Sequence, residues 1–235
     1  MLKVSRRSAG EPEIFHSVQG EGVSLGVPSV FLRLATCNLA CSWCDTKYTW
    51  DWQNFNYQTE VVELGPEIVQ QKIQAYDCSH VVITGGEPML QQEELQPLVK
   101  SLAAEGYTFE VETNGTIPPT PGMLRHIGQW NVSPKLRTSG NQLLETQNPL
   151  ALQTFAALTD AYFKFVIAVE SDVDEVCTLR DQYDLAPQRI LLMPEGRTLD
   201  ALARKSAWLP ELCVQHGFRF TTRLHIILWG DERGR

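Results

Sequence analysis

Val30-Phe31-Leu32-Arg33-Leu34, followed by Cys37-Asn38-Leu39-Ala40-Cys41-Ser42-Trp43-Cys44-Asp45, is the stretch from which the rest of the chain is best read: a β-branched apolar run that empties into three closely spaced cysteines. Four thiolates close a structural zinc site or an ordinary iron–sulfur cluster, and this C-x3-C-x2-C loop supplies three. A centre short of one protein ligand keeps a position open for a reacting molecule, so the loop predicts a metal centre at the end of a strand. Cys78, Cys177 and Cys213 stand apart among apolar or helical-looking neighbours and read as small core residues. A chain of 235 residues buries a sizeable core of its own, so no disulfide framework is expected.

Further apolar runs recur at Val81 to Thr84, Tyr107 to Val111, Trp130 to Val132, Tyr162 to Val169, Ile190 to Met193 and Phe218 to Leu228. Helical patterns lie between them at Pro66 to Tyr76, Gln92 to Ala104, Asp172 to Tyr183 and Leu199 to His216, with Pro66 and Asp172 suited to N-termini. Strand followed by helix, repeated, predicts a largely parallel α/β sheet. The spacing is too short for eight units, which predicts an incomplete TIM-type barrel of about six strands with helices outside. There is no repeat, low-complexity tract or long linker, so residues 1–235 are expected to form a single domain.

Composition narrows the function. With 43% hydrophobic and 20% charged residues the chain is ordinary globular material, and a net charge of -8 argues against an extended basic footprint for nucleic acid. A small-molecule substrate is expected instead. Met1 to Phe15 carries charges and no apolar signal core, and no run approaches the roughly twenty apolar residues of a membrane span. A reducing cytoplasm is the expected location, without membrane partners.

In parallel barrels the loops after strands carry the chemistry, and three polar motifs fall at such positions. Thr84-Gly85-Gly86-Glu87-Pro88 offers two glycines for close backbone approach and a carboxylate acceptor; by itself it is a tight strand-to-helix turn. Glu112-Thr113-Asn114-Gly115 and Ser133-Pro134-Lys135 occupy the same position after later strands. Their register with the cysteine loop is what lifts them above ordinary turns.

Together these residues resemble the radical S-adenosylmethionine (SAM) superfamily, in the cysteine loop, in Trp43 before the third cysteine and in the Gly-Gly-Glu-Pro turn. A closer resemblance, from about residue 11 to 231, is to the 7-carboxy-7-deazaguanine synthase family. Glu13-Ile14-Phe15, Val18-Gln19-Gly20-Glu21-Gly22, Arg33 and Cys44-Asp45-Thr46 carry it most specifically. The Glu112 and Ser133 motifs, Leu224-His225 and Trp229-Gly230-Asp231 add to it, and it is weakest between Arg137 and Ala161.

The resemblance implies a [4Fe–4S] cluster on Cys37, Cys41 and Cys44 with SAM chelating the fourth iron, cleaved on reduction to abstract hydrogen from substrate. It implies SAM contacts from Glu87, Gly85, Gly86, Trp43, Cys44 and Asp45, with Asn114, Ser133, Pro134 and Lys135 at the ribose and carboxylate and Met193-Pro194 beside the adenine. The implied reaction is ring contraction of 6-carboxy-5,6,7,8-tetrahydropterin to 7-carboxy-7-deazaguanine with loss of ammonia. Arg33 is the candidate for the substrate carboxylate, because a guanidinium meets it with two charge-assisted bonds. Val18, Gln19, Gly20 and Glu21, in an N-terminal substrate-binding extension, would line the pterin with Thr84 and His225. Thr46 is the implied Mg2+ contact, a weak ligand acceptable to an ion that retains water.

A flavodoxin or ferredoxin donor and a homodimer are expected partners. Tyr48 to Tyr57, aromatic and polar where a first crossover helix is expected, suits a lid, a donor dock, a dimer face or simple burial. The chain continues through Asp231 to Arg235 where some shorter relatives end at the pocket. Two rival readings are a glycyl-radical-enzyme activase of the same superfamily, and an iron–sulfur or zinc structural or electron-transfer module with Cys78 or His80 as fourth ligand.

Overall fold

The computed structural model describes residues 1–7 and 10–235. Among the described residues ten strands form one sheet: β1 (Leu2–Ser5), β2 (Ile14–Val18), β3 (Pro28–Leu34), β4 (Val61–Leu64), β5 (His80–Gly85), β6 (Thr108–Thr113), β7 (Gln129–Val132), β8 (Ala161–Ile167), β9 (Ile190–Pro194) and β10 (Arg219–Phe220). Their spatial order is β10-β9-β8-β7-β6-β5-β3-β1-β4, with β2 also on β3. Every pairing from β3 through β10 is parallel, whereas β1 and β2 pair antiparallel. The sheet is not closed, which matches the expected incomplete barrel. It carries six parallel strands of four or more residues plus the two-residue β10.

Side chains alternate across a strand, and here the alternation separates two environments. Val30, Leu32, Leu34, Val81, Ile83, Phe109, Val111, Trp130, Val132, Phe163, Phe165 and Ile167 face the helices and form the main core. Their alternate neighbours, among them Phe31, Arg33, Val82, Thr84, Glu112, Lys164 and Val166, line a cavity on the other face. Arg33 on β3 and Met193 on β9 share that cavity although four strands lie between β3 and β9, so the sheet curls around it. Phe15, Phe31 and Val82 form a small apolar cluster at its floor, the two rings stacked with centroids 5.0 Å apart.

Helices Gln92–Ala104 and Asp172–Tyr183 lie where the apolar spacing puts them. Three expectations need correction. The pattern from Leu199 to His216 is two helices, Leu199–Ser206 and Leu209–His216, because Pro210 suits only a helical first turn and the chain restarts there. The run Phe218 to Leu228 is not a strand: it is β10, a polar turn through Thr221-Thr222-Arg223, and helix Leu224–Trp229. Cys78 and Cys177 are half-buried rather than core, and only Cys213 is enclosed. The segment from Lys47 to Glu60 holds two single helical turns, Lys47–Thr49 and Tyr57–Glu60, in place of a full crossover helix.

Candidate active site

The glycine turn after β5 is built first as support for the cysteine loop. Gly86 N–H donates to Leu34 O at 2.9 Å and Glu87 N–H to Thr36 O at 2.8 Å, so the end of β5 carries the base of the loop that leaves β3. A Cβ on Gly86 would fall on the Thr36 backbone, so only glycine permits this approach. Glu87 is fully buried, and its carboxylate accepts from Met89 N–H (2.9 Å), Thr113 Oγ1–H (2.7 Å) and Asn114 N–H (2.7 Å). Burial pushes its pKa up against those bonds. Glu87, expected against SAM, ties the first and second strand-end motifs together with its carboxylate and is absent from the cavity wall.

All three cluster cysteines line the cavity. Cys37 Sγ accepts from Leu39 N–H (3.5 Å), Cys41 Sγ from Asn141 Nδ2 (3.2 Å) and Cys44 Sγ from Trp50 Nε1 (3.4 Å). Burial pushes the Cys37 thiol up to about 12 and raises Cys41 also, so metal must displace the protons. Among the described residues no three His, Cys, Asp or Glu side chains converge as ligands of one ion, whereas a four-iron cube takes its three thiolates at separate corners. His80 and Cys78 lie at the start of β5, about 17 Å from the end that meets the loop at roughly 3.3 Å per residue, so neither is the fourth ligand.

On the substrate side, the chain ends meet. Leu224 N–H donates to Gly20 O (2.8 Å), Gly22 N–H to Thr221 Oγ1 (2.9 Å), and a Cβ on Gly20 would strike the His225 ring. Glu21 accepts from Lys164 Nζ at 2.7 Å and Arg223 Nε at 3.0 Å, and Arg223 also engages Gly196 O and Asp45. Burial works to raise the Glu21 pKa, but Lys164, Arg223 and His225 outweigh it and hold the carboxyl well below its usual range. Lys164 also pairs with Glu112 at 2.7 Å. Burial, opposed by Lys164 and joined by Glu110 and Glu21, pushes Glu112 up to about 7. Burial lowers His225 to about 4, with Glu21 opposing and Arg223 reinforcing, so the ring is neutral near pH 7. Arg33 gives its Nε to Glu13 at 2.8 Å, and no described residue engages its Nη atoms.

A protein-family model described as Radical SAM superfamily matches residues 33–133. A 7-carboxy-7-deazaguanine synthase of Pyrobaculum aerophilum is 41% identical over 225 residues, covering 95% of this chain and 96% of the relative. The chain belongs to the 7-carboxy-7-deazaguanine synthase family. A synthase of that name from Halobacterium salinarum is 36% identical over 93% of this chain and 90% of its own length. The crystal structure of QueE from Escherichia coli superposes with TM-score 0.67 at 28% identity, covering 95% of each chain. As a radical SAM enzyme the chain uses a [4Fe–4S] cluster and SAM, acts on a small molecule and needs a reductant. Family membership sets aside both the activase and the structural-module readings.

The residues present fit these groups. Three thiols share one wall, and beside them Trp43 holds a buried indole N–H with no partner among the described residues, a donor suited to a ligand acceptor. The cavity also gathers Val18, Gln19, Gly20, Glu21, Arg33, Asp45, Thr46, Thr84, Gly85, Gly86, Asn114, Ser133, Lys135, Met193 and His225. Pro134 and Pro194, expected against SAM, lie off this wall. Asn114 reaches it with its amide already committed, Nδ2 to Asn38 Oδ1 and Oδ1 to Thr116, so it shapes the wall more than it offers bonds.

Glu112 and Trp50, read in the sequence only as parts of a strand-end motif and of the aromatic segment, also line the cavity, as do Lys164, Arg223 and Glu195, which the sequence did not single out. For Glu112 and Lys164 a signal existed: each is a charge inside a strand whose alternate positions are core residues. Arg223 had none, because its turn was read as strand.

Proposed function

We propose that this chain converts 6-carboxy-5,6,7,8-tetrahydropterin to 7-carboxy-7-deazaguanine with loss of ammonia. The observation that carries the reading is one cavity lined both by the three thiols and by Gln19, Glu21, Arg33 and His225. Reduced cluster and SAM, when bound, supply the hydrogen-abstracting chemistry. The chain's own residues do the rest. Arg33, turned by Glu13, meets the substrate carboxylate, and Gln19, Glu21 and neutral His225 meet the polar pterin edge. Glu112, with a pKa near neutrality, holds or yields a proton there. Trp43, Gly85, Gly86, Ser133 and Lys135 bound the SAM side, with Met193 closing it.

Thr46 is our candidate for Mg2+: it lines the cavity, its carbonyl caps the adjoining helical turn, and its hydroxyl, bonded at 3.5 Å to Cys44 Sγ, is the group that would meet the ion. The whole chain would act as one catalytic domain, its N-terminal stretch serving as the substrate extension. A flavodoxin or ferredoxin donor, a homodimer and a cytoplasmic setting accord with this chemistry; among the described residues no helix is long and apolar enough to cross a membrane.

The test is an anaerobic assay of reconstituted protein with dithionite, SAM and the carboxytetrahydropterin, following deazaguanine and 5′-deoxyadenosine by mass. Deazaguanine in many-fold excess over consumed SAM is the expected result. Deoxyadenosine without deazaguanine would refute the substrate. Cys41→Ala is expected to abolish cluster and SAM cleavage together. Arg33→Ala is expected to spare the cluster and raise the substrate KM, and an unchanged KM would refute the pocket assignment.

A further inference from the structure

The segment after Lys135, where the resemblance to the family is weakest, lies along the cysteine loop. Ser42 N–H donates to Ser139 O at 2.8 Å, and Gly140 at φ +82° turns the chain so that Asn141 meets the loop. Asn141 Oδ1 accepts from Ala40 N–H at 2.8 Å, and its Nδ2 lies 3.2 Å from Cys41 Sγ. This orientation is fixed by chemistry: a backbone N–H only donates, so the amide atom facing Ala40 is oxygen, and the nitrogen is left for the sulfur. Ser139 Oγ, 3.1 Å from Nδ2, steadies the amide further.

An independent contact repeats the pattern on the third cysteine. Trp50 Nε1, a group that only donates, lies 3.4 Å from Cys44 Sγ. Trp50 belongs to the aromatic segment for which the sequence offered four roles.

An N–H donated to a cluster thiolate stabilises negative charge on sulfur, and the reduced cluster carries one electron more. We propose that Asn141 and Trp50 are positioning residues that set the reduction potential of the cluster, making it easier to reduce. The proposal rests on the reading that Cys37, Cys41 and Cys44 hold the cluster. Both residues act through cysteines and touch neither substrate nor SAM in the role assigned here.

The test is an anaerobic redox titration of reconstituted holoenzyme, followed by electron paramagnetic resonance of the reduced cluster. Native protein is compared with Asn141→Asp, Asn141→Leu, Trp50→Phe and the Asn141→Asp/Trp50→Phe pair. Asn141→Asp keeps the acceptor for Ala40, loses the donor to sulfur and adds a carboxylate charge, so Trp50→Phe, which removes an N–H without adding charge, isolates the loss of a donor. Each single variant is expected to shift the midpoint to more negative potential with iron and sulfide content unchanged, and the pair to shift it further than either. Unchanged midpoints in Asn141→Asp and Trp50→Phe would overturn the proposal. If Asn141→Leu fails to hold a cluster, those two variants decide. Native protein that binds no cluster would refute the reading beneath it, a result distinct from unchanged midpoints.

Discussion

A methyl group added to Gly20 would land on the imidazole of His225, so Gly20→Ala moves a pocket wall without altering any polar group. The expected outcome is a KM raised roughly tenfold for substrate with cluster content and reductive SAM cleavage near native, read by steady-state kinetics and iron analysis. Glu112 gives a pH signature. Its carboxyl is raised from 4.5 to about 7 on folding, so the native state binds the extra proton between those values. Its contribution to stability is full below pH 4.5 and is lost as pH rises toward 7, at up to about 1.4 kcal/mol per pH unit. Glu112→Gln is expected to remove that slope when urea melts of the apo protein are compared from pH 5 to 8. A difference between native and variant that stays flat across this range would contradict the assignment.

At the scale of elements, the outer face of the barrel was legible because apolar residues recur every second position there, and the long helices because theirs recur at helical spacing. β1, β2 and β4 escaped notice for a physical reason: Lys3 and Glu63 are cross-strand partners, and such short strands borrow their stability from pairing. The cysteines and strand-end motifs were visible as clusters of chemistry. What stayed hidden was direction: nothing in Gly-Gly-Glu-Pro reveals that the carboxylate turns inward. Glu87→Ala would strand three buried donors, Met89 N–H, Thr113 Oγ1–H and Asn114 N–H. A loss of about 3 kcal/mol in denaturant unfolding of the apo protein is expected, since each unsatisfied buried group costs about 1–3 kcal/mol.

Across the whole molecule, the two ends of the chain are joined beside the pocket. Arg233 lies 3.4 Å from the centroid of the Tyr48 ring, with its Nε 3.5 Å from Glu13 and an Nη 2.9 Å from Glu60. Tyr48 OH donates to Glu13, whose other task is to hold Arg33. Arg33 and Arg233 thus share one buried carboxylate, and Arg233→Ala is expected to raise substrate KM several-fold while leaving SAM cleavage intact. Equal KM in native and variant would show that the tail leaves Arg33 unaffected.

From β5 onward the strands stand in the sheet in the order in which they occur in the chain. Each new strand leaving the ribosome therefore has its pairing partner in the strand made just before it. The three cysteines emerge about a hundred residues before Asn141, and almost two hundred before Arg223 and Arg233. Until those later residues are made, the loop lacks the bonds that Asn141 and Arg223 give it. A chain cut short before Arg223 thus keeps every cysteine of the loop and lacks the side chain that ties Asp45 to Glu21.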